Sequence, residues 1–90
     1  MRPGSRIGAG TLFITRSDFF RPGTIYMATG RGGYVGLVRV EGGRLYVAAA
    51  FDARFVRECG SLAVAAERPI REAGFPPPPE LPAADWKGTP

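Results

Sequence analysis

Residues 33–51 read GYVGLVRVEGGRLYVAAAF, two alternating runs separated by Glu41-Gly42-Gly43. Alternation of period two predicts paired strands, because successive strand side chains point to opposite faces. With Gly42-Gly43 as a two-residue hairpin turn, Val40 faces Leu45, Arg39 faces Tyr46, Val38 faces Val47, Leu37 faces Ala48 and Gly36 faces Ala49. One face then carries Tyr34, Gly36, Val38, Val40, Leu45, Val47, Ala49 and Phe51, apolar except for one phenol. The other mixes Val35, Leu37 and Ala48 with Arg39, Glu41, Arg44 and Tyr46.

Upstream, residues 24–30 (TIYMATG) form a further strand. Arg31-Gly32 as its turn puts Met27 opposite Gly36 and Ile25 opposite Val38, so Ile25, Met27 and Thr29 join the apolar face. Residues 6–14 (RIGAGTLFI) predict a first strand. Gly8-Ala9-Gly10 has the start of a dinucleotide loop, but Phe13 stands where the third glycine belongs and no helix opens there. These glycines therefore mark close packing or a bulge. The connection over 16–23 (RSDFFRPG) offers Phe19 and Phe20 either as a lid on the core or as docking residues for another domain.

After Phe51 the period changes. Asp52 is an N-cap, with Phe51 and Val56 placed for a hydrophobic staple. A helix over 53–59 stops at Gly60, and Ser61 caps a second whose stripe is Leu62, Ala66, Ile70 and Ala73. Gly74 and Phe75 suit a Schellman ending, Phe75 reaching back to Ile70. Pro69 costs about 3 kcal/mol inside a helix and predicts a kink or break near Glu67-Arg68. Residues 76–79 are four prolines, a stiff spacer of roughly 12 Å. Pro79-Glu80-Leu81-Pro82 also matches a PxxP docking pattern, and Trp86 requires a surface to pack on. The expected fold class is α+β: an antiparallel sheet of three to four strands as a meander over 5–51, one or two helices on one face over 52–74, and a Pro-rich extended tail over 75–90.

Ninety residues make one small domain or a fragment of one. The net charge is +4, and every cation but Lys87 is a scattered arginine, so no nucleic-acid footprint is expected. The absence of histidine excludes Ser–His–Asp and Cys–His chemistry and ordinary zinc sites within the chain. Cys59 stands alone at the C-terminal end of a helix, where a thiolate gains nothing, and predicts a buried structural thiol. Asp52 serves as a cap, Glu41 pairs with Arg44 across a turn, and Glu58, Glu67 and Glu72 fall on polar helix surfaces. No catalytic set and no metal site is expected. No apolar run reaches membrane-spanning length, and Met1-Arg2-Pro3-Gly4 does not begin a secretory signal, which with the lone cysteine points to a cytoplasmic location.

Gly36, between Met27 and Ala49, leaves a hollow flanked by Tyr34, Val38 and Val47 that suits a flat or greasy ligand. The same pattern also serves if the helices cover this face as core. Residues 6–90, most clearly GTIYMATGRGGYVGLVRVEGGRLYVAAAFDARFV followed by the Ala-rich helix, REAGFPPPP and DWKGTP, resemble the central part of FAD-dependent oxidoreductases of the geranylgeranyl reductase-like group, which share the p-hydroxybenzoate hydroxylase fold. In that group this region is the antiparallel sheet of the substrate-binding domain, set over the flavin ring. Tyr34 matches the group's tyrosine, while Gly36 stands in place of its tryptophan and Val38-Arg39 in place of its phenylalanine-proline. Tyr46-Val47-Ala48 replaces its asparagine-valine-glycine. The resemblance implies Met27, Tyr34, Gly36, Val38 and Val47 as substrate-binding walls, with FAD held by a separate FAD-binding domain. The group's upstream dinucleotide fingerprint and downstream Gly-Asp motif do not occur in these residues, so the expectation is a gene fragment or truncated product, inactive alone and binding no FAD by itself. The alternative is a stand-alone binding module that takes a protein partner on its apolar sheet face.

Overall fold

A computed structural model describes residues 6–89; Met1-Arg2-Pro3-Gly4, Ser5 and Pro90 lie outside the described residues. The chain is α+β, with an antiparallel sheet of five strands. These are β1 (Arg6–Ile14), β2 (Ile25–Gly30), β3 (Gly33–Val40), β4 (Arg44–Asp52) and β5 (Lys87–Thr89). Helices α1 (Ala53–Cys59) and α2 (Leu62–Glu72) pack on one side of it. The spatial order is β2-β3-β4-β1-β5, so the first strand lies inside the sheet and the tail supplies the far edge. The tail is thus not merely extended: after the prolines it makes a 3-10 turn (Leu81–Ala83), buries Leu81 and pairs β5 with β1.

The β2–β3 register is the expected one, with Met27 opposite Gly36 and Ile25 opposite Val38. The β3–β4 register differs by one residue. Glu41–Gly43 form a three-residue turn in which Gly42 and Gly43 both take positive φ (77° and 72°), pairing Val40 with Arg44 and Gly36 with Ala48. A slip of one residue exchanges the faces of a strand. Val35 and Leu37 therefore share the core side with Leu45, Val47, Ala49 and Phe51, whereas Tyr34, Gly36, Val38 and Val40 lie on the other side. The slip buries Val35 and Leu37 and leaves Tyr34, Gly36, Val38 and Val40 outside, and it is fixed locally by the three-residue turn whose two glycines both take positive φ. It also turns Arg39 toward the core side, where its guanidinium donates to the Ser17 and Phe20 carbonyls at 2.8 and 3.4 Å. The expected Glu41–Arg44 carboxylate pair is replaced by a bond from Arg44 Nε to the Glu41 carbonyl, 3.0 Å.

The helix signals are met locally. The Asp52 carboxylate accepts from the Arg54 N–H at 2.9 Å, and Gly60 ends α1 at φ 90°. Ser61 caps α2 through the Val64 N–H, and Phe75 N–H returns to the Ile70 carbonyl at 3.0 Å beyond Gly74. Pro69 does not break α2, which runs unbroken through Glu72. It is buried over β2, its ring in the space left by Gly30, and that packing offsets the lost backbone bond. Ala65, Ala66 and Ile70 complete the buried stripe, but Ala73 is exposed. Phe20 folds back as a lid, fully buried and edge-on to Tyr26, with Phe19 and Phe75 around the same phenol. Trp86 packs on the core from the tail side.

Candidate functional site

Alternation leaves the second face of the sheet bare. It carries Gly8, Gly10, Leu12 and Ile14 from β1, Ile25 and Met27 from β2, Tyr34, Gly36, Val38 and Val40 from β3, and Tyr46, Ala48 and Ala50 from β4. Apart from Val38, which is half-buried, its large apolar side chains are exposed to between 37% (Val40) and 70% (Ile14 and Ile25), and both helices lie on the opposite side. A continuous exposed apolar surface of this kind makes the face the candidate site. Cations stand at its margins: Arg6 and Arg44 at opposite ends of the β1–β4 pair, and Lys87 on the β5 edge.

Of the five walls expected, the structure brings Met27, Tyr34, Gly36 and Val38 together on this face. Val47 is not among them; the one-residue register difference turns it into the core, fully buried opposite Leu37 and Thr11. The hollow expected over Gly36 is occupied. A Cβ added at Gly36 would lie 3.1 Å from Met27 Sδ, so the flexible thioether already lies across the glycine.

The concavity lies instead over β1 and β4. It has a volume of about 490 Å³ and is lined by Gly8, Gly10, Leu12, Tyr46, Ala48 and Lys87, with Asp85 also at its wall. Gly8 and Gly10 face the same way because they are two apart on a strand, and their partners Ala50 and Ala48 are also small. Four small residues in a square therefore lower the sheet surface between bulkier neighbours. Tyr46 partly leans over this floor, its hydroxyl 3.3 Å from where a Gly10 Cβ would stand. The sequence signal was Gly-x-Gly within a strand facing Ala-x-Ala, legible only once β1 was known to pair with β4.

Tyr46, Asp85 and Lys87 are the titratable residues that line the hollow. The Glu80 carboxyl lies outside it. Desolvation pushes its pKa up, but bonds from the Arg16 N–H (2.8 Å) and the Thr15 hydroxyl (2.8 Å), with the Arg16 charge, outweigh it and hold the pKa below the ordinary value. Cys59 is half-buried against the core rather than fully enclosed. Among the described residues no three His, Cys, Asp or Glu side chains gather where a metal ion would be held, and no helix is long and apolar enough to cross a membrane.

The diphosphate of FAD would be held at a helix start, where anions ordinarily bind. Both helix starts are closed by side chains of the chain itself, the Asp52 carboxylate at α1 and the Ser61 hydroxyl at α2. Neither helix start fits a diphosphate while its cap is in place. Comparison with protein families, with curated proteins and with solved structures finds no match for this chain.

Proposed function

We propose that the chain is the substrate-side sheet of an FAD-dependent oxidoreductase, its bare face forming one wall of the reaction site and a separate FAD-binding domain holding the cofactor. The observation that carries this reading is the bare face itself, apolar over four strands with a 490 Å³ hollow floored by glycine and alanine. A small-residue floor admits a flat or unbranched apolar body close to the backbone. The Tyr46 hydroxyl and Lys87 at its rim accept or pair with one polar end. The chain's work is thus to bind and orient a reactant and to exclude water above it; redox chemistry belongs to the flavin. Residues contributing are Gly8, Gly10, Tyr46 and Ala48 at the hollow, with Met27, Tyr34, Gly36 and Val38 as its flank.

The test is amide NMR of the labelled protein titrated separately with lumiflavin, which is the flavin ring without its phosphates, and with an apolar anionic dye. Shifts from both, confined to residues 8–12, 27, 34–38 and 46–50, are expected. Shifts confined to the helix side, or none, overturn the reading. Dye shifts on the bare face without any from lumiflavin favour the stand-alone binding module.

A further inference from the structure

The β2 edge of the sheet carries free hydrogen-bonding groups whose arrangement can be worked out. Asp52 N–H donates to the Gly32 carbonyl at 2.8 Å, continuing the β3–β4 ladder in which Gly33 pairs with Phe51. In an antiparallel pair alternate residues carry the bonds. Even-numbered residues of β3 therefore bond β4, and Gly33, Val35 and Leu37 bond their β2 partners Gly30, Ala28 and Tyr26. The N–H and C=O groups of Ile25, Met27 and Thr29 are left pointing away from the sheet. Among the described residues none of them meets a partner.

Sheet edges are ordinarily guarded by lysine, proline or a bulge. Strand β2 reads IYMATG, uncharged and without proline, and its pairing with β3 is regular over all six residues. From this geometry we propose that β2 pairs with β2 of a second copy of this chain, antiparallel, about a two-fold axis at Met27.

That register sets Met27 against Met27 and Ile25 against Thr29, so all six outward groups on each copy bond one another. Side-chain parity is kept as well: Ile25, Met27 and Thr29 stay on the bare face and Tyr26 and Ala28 on the helix side. No like charges meet, because Arg31 falls opposite Gly23 of the other copy. A two-fold contact is self-complementary by construction, and the product is one ten-stranded sheet with a continuous bare face. A lone peptide strand would satisfy the same backbone groups, but a second copy also sets β-branched Ile25 opposite β-branched Thr29 on both sides of the paired Met27 residues, which favours it.

The test is sedentation-based mass and amide exchange of the whole protein across micromolar to millimolar concentration, by analytical ultracentrifugation and NMR. The expected result is a twofold rise in mass, with the Ile25, Met27 and Thr29 amides slowed at least about tenfold at the higher concentration. Tyr26, Ala28 and Gly30 amides should be protected throughout. Met27→Lys sets two ammonium groups across the axis and Met27→Pro removes the central donor without touching β3; each should restore the monomer mass. Should either variant unfold, the concentration dependence of the unmodified protein decides alone. A monomer at every concentration overturns the proposal, as does a dimer whose Ile25, Met27 and Thr29 amides exchange freely, since its bare faces would then be stacked instead.

Discussion

Gly32 lies beneath the Phe55 ring. A Cβ added there would come within 2.4 Å of three ring atoms, so no side chain fits without moving the aromatic of α1. Gly32→Ala is expected to cost about 1–3 kcal/mol by overpacking, read as a lower urea midpoint at unchanged slope. Gly36 differs in kind, because what meets it is the end of a flexible methionine. Arg39 shows the same dependence on context. Its two bonds to the Ser17 and Phe20 carbonyls hold the connection that carries the Phe20 lid, a task invisible in a strand that reads as polar at that position.

Elements announced by their ends were legible before any coordinates. Asp52, Gly60, Ser61 and Gly74 bound the two helices because capping is local chemistry. The β2–β3 hairpin was legible for the same reason, its Arg31-Gly32 turn having one sensible length. Glu41-Gly42-Gly43 has two, and the three-residue one, with both glycines at positive φ, is the one that brings Val35 and Leu37 to the core. Strand β5 is three residues, too short for any period, and is placed by its neighbours. Thr11 donates to the Asp85 carbonyl at 3.0 Å, and Glu80 clasps Thr15 and Arg16. That clasp is pH-dependent. Because the Glu80 pKa is depressed in the fold, its contribution is present above the ordinary value of 4.5 and lost as pH falls through the folded value. Glu80→Gln should therefore lower the melting temperature near neutrality and flatten its decline below about pH 4.5, followed by calorimetry across that range.

At the scale of the whole molecule, the sheet divides the side chains into one covered and one uncovered set. Leu12 and Tyr46 belong to the uncovered set, at 48% and 44% exposure. Replacing Leu12 by lysine and Tyr46 by glutamate, an opposite-charge pair across the β1–β4 ladder, is expected to shift stability by less than about 0.5 kcal/mol per site while raising the ammonium sulfate concentration needed for precipitation. Loss of stability instead would mean that this face is packed in solution. The candidate site was only half legible: Met27, Tyr34, Gly36 and Val38 do share a face, but Val47 and the position of the hollow depended on which strand lies beside β4.

The order of strands has a bearing on how the molecule is made. Of the five strands described, β1 leaves the ribosome before the others, yet its outer neighbour is the last of them, nearly eighty residues later. Until Lys87 has emerged, the opening strand offers one flank to whatever nascent chain is near, and a message interrupted shortly before that codon would leave the flank permanently adhesive.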